Sequence, residues 1–127
     1  SWTAGPMLFD IDFRHCALWH LGSTLHVIWT RVGDAPEHLL HSTIEVGEDW
    51  TASDMTTWQP SEPRSILRPE HNWEGADLPI EPSVRGQVTD PVHQLRDPAI
   101  CLDRDRVWLL YCIAGESGIA LAEVSGL

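Results

Sequence analysis

The sequence predicts an all-β protein built from antiparallel meanders. Three observations point there. Two blocks of short apolar runs, rich in β-branched and aromatic residues, are each broken by tight-turn signals. Helical periodicity is scarce. Six of the nine prolines, Pro60, Pro63, Pro69, Pro79, Pro82 and Pro91, gather between the two blocks.

The first block begins with Ala17–Leu21 as a strand. Gly22-Ser23 is a turn signal, and Thr24–Val32 reads as a second strand. Gly33 to Pro36 breaks the run, and Leu39–Val46 makes a third strand. Gly47 to Trp58 suggests a helical turn capped by Ser53. The prolines of the next segment exclude central strands and helix interiors. Its apolar residues, among them Trp58, Ile66, Leu67 and Trp73, are too many for disorder. An ordered loop is expected there, with a short edge strand around Ser65–Leu67. The second block repeats the first: Pro98–Asp103, a charged turn at Arg104-Asp105, Arg106–Ala114, then Gly118–Val124.

The two blocks superpose in sequence at an offset of 82, which puts Arg14 on Arg96, His15 on Asp97, Trp29 on Tyr111 and Gly33 on Gly115. The first block carries four extra residues, Ala35 to His38, after which the offset is 78. The expected organisation is one domain over 1–127: a first repeat at 14–46, a loop-rich connection at 47–95 and a second repeat at 96–124. A two-residue turn at Gly22-Ser23 places Ala17, Trp19, Leu21, His26 and Ile28 on one face. Leu18, His20, Leu25, Val27 and Trp29 fall on the other. Both faces are largely apolar, so the sheet is expected to be packed on both sides, as the blades of a β-propeller are. A pair of core strands in a β-sandwich is the alternative.

Composition narrows the partners. The 127 residues carry a net charge of −11, and all eight basic residues are arginine. That balance opposes binding to nucleic acid or to anionic membranes, and leaves neutral or cationic molecules and other proteins. Cys16, Cys101 and Cys112 form no CxxC pair and lie in or beside apolar runs, so reduced, buried thiols are expected. With no signal peptide visible and no apolar run of about 18 residues, a cytoplasmic setting is the expectation. The seven histidines match no zinc spacing, and no phosphate loop or nucleophile elbow is found. No metal and no cofactor are expected.

The text "LRDPAI…VWLLYCIAGESGIALAEV" resembles the blades of the five-bladed propeller glycosidases, the group of glycoside hydrolase families 32, 43 and 68. "VGDAPEHLLHSTIEVGEDW" and "RPEHNWEGADLP" are similar to pieces of uncharacterised relatives of those enzymes. Only a C-terminal part of such a propeller is matched, since five blades need more than twice this length. The resemblance implies a partial propeller, a carbohydrate ligand and an Asp at a blade opening as one of three pocket carboxylates. Asp97 matches that position, with Arg96 as the partner that keeps it ionised. The alternative for Arg96-Asp97-Pro98 is a salt bridge that orders a blade edge.

Glycoside hydrolysis needs two carboxylates flanking the bond. Asp97 and Glu74 are the expected pair, with Glu74 as an acid raised by burial beside Trp73. Arg96, His15 and Trp73 are expected to bind substrate, Trp73 as a flat platform for a sugar ring. Asp34, Glu37 and Glu116 are further rim candidates. The first repeat has His15-Cys16 where the second has Asp97-Pro98, which leaves a non-catalytic carbohydrate-binding or assembly module as the alternative function. Two blades cannot close a ring, so uncovered apolar faces and a homo-oligomer are expected.

Overall fold

The structure, a computed structural model, describes residues 3–127; Trp2 lies outside them. Seven strands form two antiparallel sheets, each contiguous in sequence. The first contains β1 (Phe13–Leu21), β2 (Thr24–Arg31), β3 (Leu39–Glu45) and β4 (Arg64–Leu67), paired in that order. The second contains β5 (Arg96–Asp103), β6 (Arg106–Ile113) and β7 (Gly118–Glu123). β4 is the short edge strand expected within the proline-rich segment. The rest of that segment is ordered loop with a 3-10 turn at Asn72–Glu74.

The pairing follows from two-residue turns. Leu21 pairs with Thr24, Trp19 with His26 and Ala17 with Ile28, which separates the two faces as the sequence predicts. In the second sheet Asp103 pairs with Arg106 and Cys101 with Trp108. The repeat extends to the backbone. Three pairs of residues at an offset of 82 share a positive φ: Gly22 at 60° and Arg104 at 54°, Gly33 at 96° and Gly115 at 79°, and His15 at 40° and Asp97 at 49°. The first pair closes the hairpins, the second ends the middle strands, and the third sits at irregularities in β1 and β5.

The sheets meet face to face in an ordered sense. Ala17, Ile28 and Leu39 on one face of the first sheet pack on Leu109 and Tyr111 of the second, with Leu95 and the half-buried Ile100 between them. Each fully buried aliphatic side chain there contributes about 1.5–3 kcal/mol. The opposite face of the first sheet holds Val27, Trp29, Leu40, Ile44 and Val46. Leu8, Phe9, Phe13 and Trp58 cover it, and Phe9 stacks on Phe13 at 4.3 Å. The opposite face of the second sheet has no such cover among the described residues.

Two local expectations change. Gly47 to Trp58 forms two 3-10 turns, Trp50–Ala52 and Met55–Thr57, capped by Asp49 and Asp54 rather than by Ser53. Each Asp accepts hydrogen bonds from the backbone and hydroxyl of the threonine two residues on, the local geometry that favours Asp at caps. Ser53 instead accepts the indole N–H of Trp58 at 2.8 Å. The cysteines are free thiols but not a buried set: Cys16 and Cys101 are exposed and Cys112 is half-buried. Cys101 and Cys112 lie on the face of the second sheet opposite Leu109 and Tyr111, away from the core. Burial of their surroundings still pushes the Cys16 and Cys112 thiols up. Among the described residues no helix is long and apolar enough to cross a membrane.

Candidate functional site

The candidate site lies where β1 and β5 begin. The register of β1 slips between Arg14 and Cys16, and that of β5 between Arg96 and Ala99. Such irregularities re-aim one side chain out of the pleat. The residues re-aimed are His15 and Asp97, both held in the left-handed region. For a non-glycine residue this conformation is strained by about 1–3 kcal/mol, and such strain concentrates at functional sites. The two side chains meet: His15 Nδ1 faces Asp97 Oδ1.

Beneath them lies a buried charge network. Arg14 donates from Nε and Nη2 to the two carboxylate oxygens of Glu37, at 2.9 and 2.7 Å. Arg96, the repeat counterpart of Arg14, has its Nε 3.7 Å from Glu37 Oε2. Glu37 is fully buried between the two guanidiniums, and Arg96 is 1% exposed. Burial lowers the Arg96 pKa from its ordinary value, and Glu37 opposes that effect. Glu37 comes from the four residues that the first repeat carries and the second lacks. The extra loop therefore supplies one anion shared by two equivalent arginines. Its backbone also enters the contact, because Leu95 N–H donates to the Glu37 carbonyl at 3.0 Å.

The segment Ser83–Gln87 passes over the same arginines. Arg14 Nη1 donates to the Val84 carbonyl at 3.4 Å, and Arg96 Nη1 to that of Gly86 at 3.3 Å. Arg85 reaches outward to the Ile11 carbonyl and to Asp12. Together Arg14, His15, Arg85, Gly86, Gln87, Asp97 and Glu116 line an open concavity of about 400 Å³. It is large enough for a small ligand. Its rim offers both donors and carboxylate acceptors.

Arg96 does not pair with Asp97. Side chains of neighbouring strand residues alternate, so Arg96 turns inward where Asp97 turns out. Its donors go to Gln94 Oε1 at 2.9 and 2.5 Å and to Glu116 Oε1 at 3.1 Å. The partner of Asp97 is His15.

Glu74 and Trp73 do not line the concavity. Glu74 is 2% exposed and closes a cap: its Oε2 accepts from the backbone N–H groups of Glu70 and His71, at 2.8 and 3.0 Å. Its Oε1 accepts the Tyr111 hydroxyl at 3.0 Å. Burial, and then Glu74, push the Tyr111 phenol up to about 12. These bonds fasten the proline-rich loop to β6. Trp73, 53% exposed, stacks on His71 with ring centroids 5.1 Å apart.

Sequence reasoning assigned no role here to Arg14, Arg85 or Gln87. Arg14 was available from its alignment with Arg96. Arg85 and Gln87, in an irregular loop, carry no comparable signal. Of the rim candidates, Glu116 lines the concavity, whereas Glu37 lies beneath it. Among the described residues no group of three or more His, Cys, Asp or Glu side chains is placed to hold a metal ion.

A second concavity, of about 370 Å³, lies on the far face of the first sheet. It is lined by Leu18, His20, Leu25, Val46, Trp50 and Trp58, a set with no carboxylate.

A relative is found in a virus. The chain is 42% identical, over 112 residues, to an uncharacterised protein of Acanthamoeba polyphaga mimivirus. The match covers 87% of this chain and 30% of the viral protein, so the chain spans under a third of that relative's length. No protein-family model and no solved structure matches the chain.

Proposed function

We propose that the chain forms two blades of a propeller-like, carbohydrate-active protein, and that the concavity at His15 and Asp97 binds the hydroxyl groups of a sugar. The observation that carries this reading is the pairing of the two repeat openings. Residues at equivalent positions, each strained into the left-handed region, meet at one concavity over a shared buried ion network. Asp97 accepts from sugar hydroxyls, and His15 and Gln87 can donate to or accept from them. The ordered packing of one face of the first sheet against the opposite face of the second supports a blade arrangement.

Within this reading, the geometry favours binding over hydrolysis. The second carboxylate of the rim, Glu116, is engaged by Arg96 and by the Val88 N–H, and Glu74 is committed to its cap. Hydrolysis requires one carboxyl to give up a proton and a second to act as base or nucleophile. Asp97 is the candidate for the second role.

Titration calorimetry with a panel of mono- and oligosaccharides tests the binding. The expected result is a binding sugar whose affinity falls at least tenfold in Asp97→Asn and in His15→Ala and is unchanged in Trp73→Ala. Absence of binding across the panel, or equal affinity in Asp97→Asn, overturns the proposal. Aryl glycosides incubated with the parent and with Asp97→Asn test hydrolysis. Turnover lost in that variant would replace the binding-module reading with the enzymatic one.

A further inference from the structure

We propose, resting on the sugar-binding reading above, that the concavity at His15 and Asp97 selects an amino sugar, a sugar that carries a primary ammonium group, and that Asp97 is the residue that reads its charge.

The charges around the concavity carry the choice. Beneath it two arginines meet two glutamates. Arg14 is held by Glu37 at 2.7 Å, and Arg96 lies 3.7 Å from Glu37 and 3.1 Å from Glu116. Positive and negative charges balance there. Arg85, the remaining arginine of the lining, pairs with Asp12 at 3.2 Å and donates to the Ile11 carbonyl at 2.7 Å. It too is matched. Asp97 is the carboxylate with no arginine of its own. Its side chain is 28% exposed, and its one ion-pair partner among the described residues is His15, which carries charge only when protonated. Setting Arg14, Arg85 and Arg96 against Asp12, Glu37, Asp97 and Glu116 leaves one negative charge, and it faces the concavity.

A carboxylate without a fixed countercharge favours a ligand that brings a cation and can hydrogen-bond to it, since a charge-assisted bond is about twice as strong as a neutral one. The net charge of −11 adds a field that draws cations in and turns anions away. A sugar acid would meet Asp97 and Glu116 with like charge. An N-acetylated sugar keeps the ring and its hydroxyls but has no charge to offer. Asp97 is also held in place before the ligand arrives, because its backbone is fixed in the left-handed region at the β5 irregularity, and a preorganised acceptor loses little on binding. Exposed Gln87, which makes no side-chain hydrogen bond to the described residues, supplies an amide for the ring hydroxyls.

Titration calorimetry at neutral pH is the test. Glucosamine and galactosamine are each compared with the neutral hexose and with the N-acetylated form, and cyclohexylamine serves as an amine without hydroxyls. At least one amino sugar is expected to bind about tenfold or more tightly than its two counterparts and than cyclohexylamine. Asp97→Asn removes the charge and keeps a residue that tolerates the left-handed backbone. With the circular dichroism of the parent retained, that variant should bring the amino and neutral sugars to within about twofold of each other. Asp103→Asn, which removes a charge from the exposed turn at the far end of β5, should leave the preference intact. A neutral or N-acetylated sugar that binds as tightly as the amino sugar overturns the inference and leaves the sugar site standing. Cyclohexylamine binding as tightly as the amino sugar overturns the sugar site itself, as does the absence of binding by every probe. A preference that survives Asp97→Asn, or that Asp103→Asn weakens equally, overturns the role given to Asp97.

Discussion

Glu37→Gln removes the anion that two buried arginines share while leaving the shape of the side chain almost unchanged. Glu37 is fully buried, makes two hydrogen bonds of 2.9 and 2.7 Å to Arg14, and lies 3.7 Å from Arg96. A hydrogen bond to a charged group is worth about 1.5–3 kcal/mol. The glutamine carbonyl keeps one of them, but its amide group turns a donor toward a guanidinium. Breaking a buried ion pair by deleting one partner typically costs about 3–5 kcal/mol, because the other charge stays buried without compensation. With two guanidiniums facing one carboxylate, the upper part of that range is expected. Native domains have only about 5–15 kcal/mol in total, so the variant should be close to unfolding. Urea denaturation followed by tryptophan fluorescence measures the loss. The double variant Glu37→Gln/Arg14→Met removes one stranded cation as well. Its destabilisation should fall short of the sum of the single variants by about 1 kcal/mol or more. A Glu37→Gln protein within about 1 kcal/mol of the parent, or strict additivity in the double variant, would show that the network does not hold the two sheets together.

Two further outcomes follow from local features. His41 is pushed down to about 4 by burial, then by His26, 3.0 Å away, and by Arg64. The unfolded chain therefore takes up the proton first as pH falls below about 6.5. Stability present above that pH should decline by about 3 kcal/mol on approaching pH 4, and in urea melts across that range His41→Gln should show a flatter profile. Gly75 ends the Asn72–Glu74 turn at a φ of 89°, and a Cβ there would lie 2.4 Å from the Val92 carbonyl oxygen. Gly75→Ala should destabilise by about 2 kcal/mol or more, measured by the same melts. An unshifted midpoint would contradict so close an approach of the two loop backbones.

The strands and their register could be read from the chain because they depend on local information. Turn dipeptides set the pairs, and alternation sets the faces, so Gly22-Ser23 alone placed Trp19 opposite His26. The site could be read only where the repeat pointed to it, at His15 and Asp97. The partners of Arg96 could not, because they come from three separate segments, at Glu37, Gln94 and Glu116. Chain neighbours suggested an Arg96–Asp97 pair, yet the pleat sends adjacent side chains apart. Glu74 was ambiguous for a related reason. A glutamate beside a tryptophan fits a pocket acid, but the third residue of a short helical turn also fits a capping box, and Glu74 accepts the His71 N–H in that way. The caps at Asp49 and Asp54 had a usable signal, an aspartate two residues before a threonine in each case.

The four-residue loop that breaks the repeat also makes its two halves interdependent. Each sheet can close its own hairpins from neighbouring residues, and each brings a carboxylate to its own arginine, Glu37 to Arg14 and Glu116 to Arg96, but Glu37 also reaches across to the arginine of the other sheet. Docking the sheets one pleat out of step would carry the buried Arg96 guanidinium away from Glu37. Apolar faces alone tolerate such near misses, since one aliphatic contact substitutes for another. A single shared carboxylate does not, and the insertion thus acts as a key that admits one alignment of two otherwise similar halves.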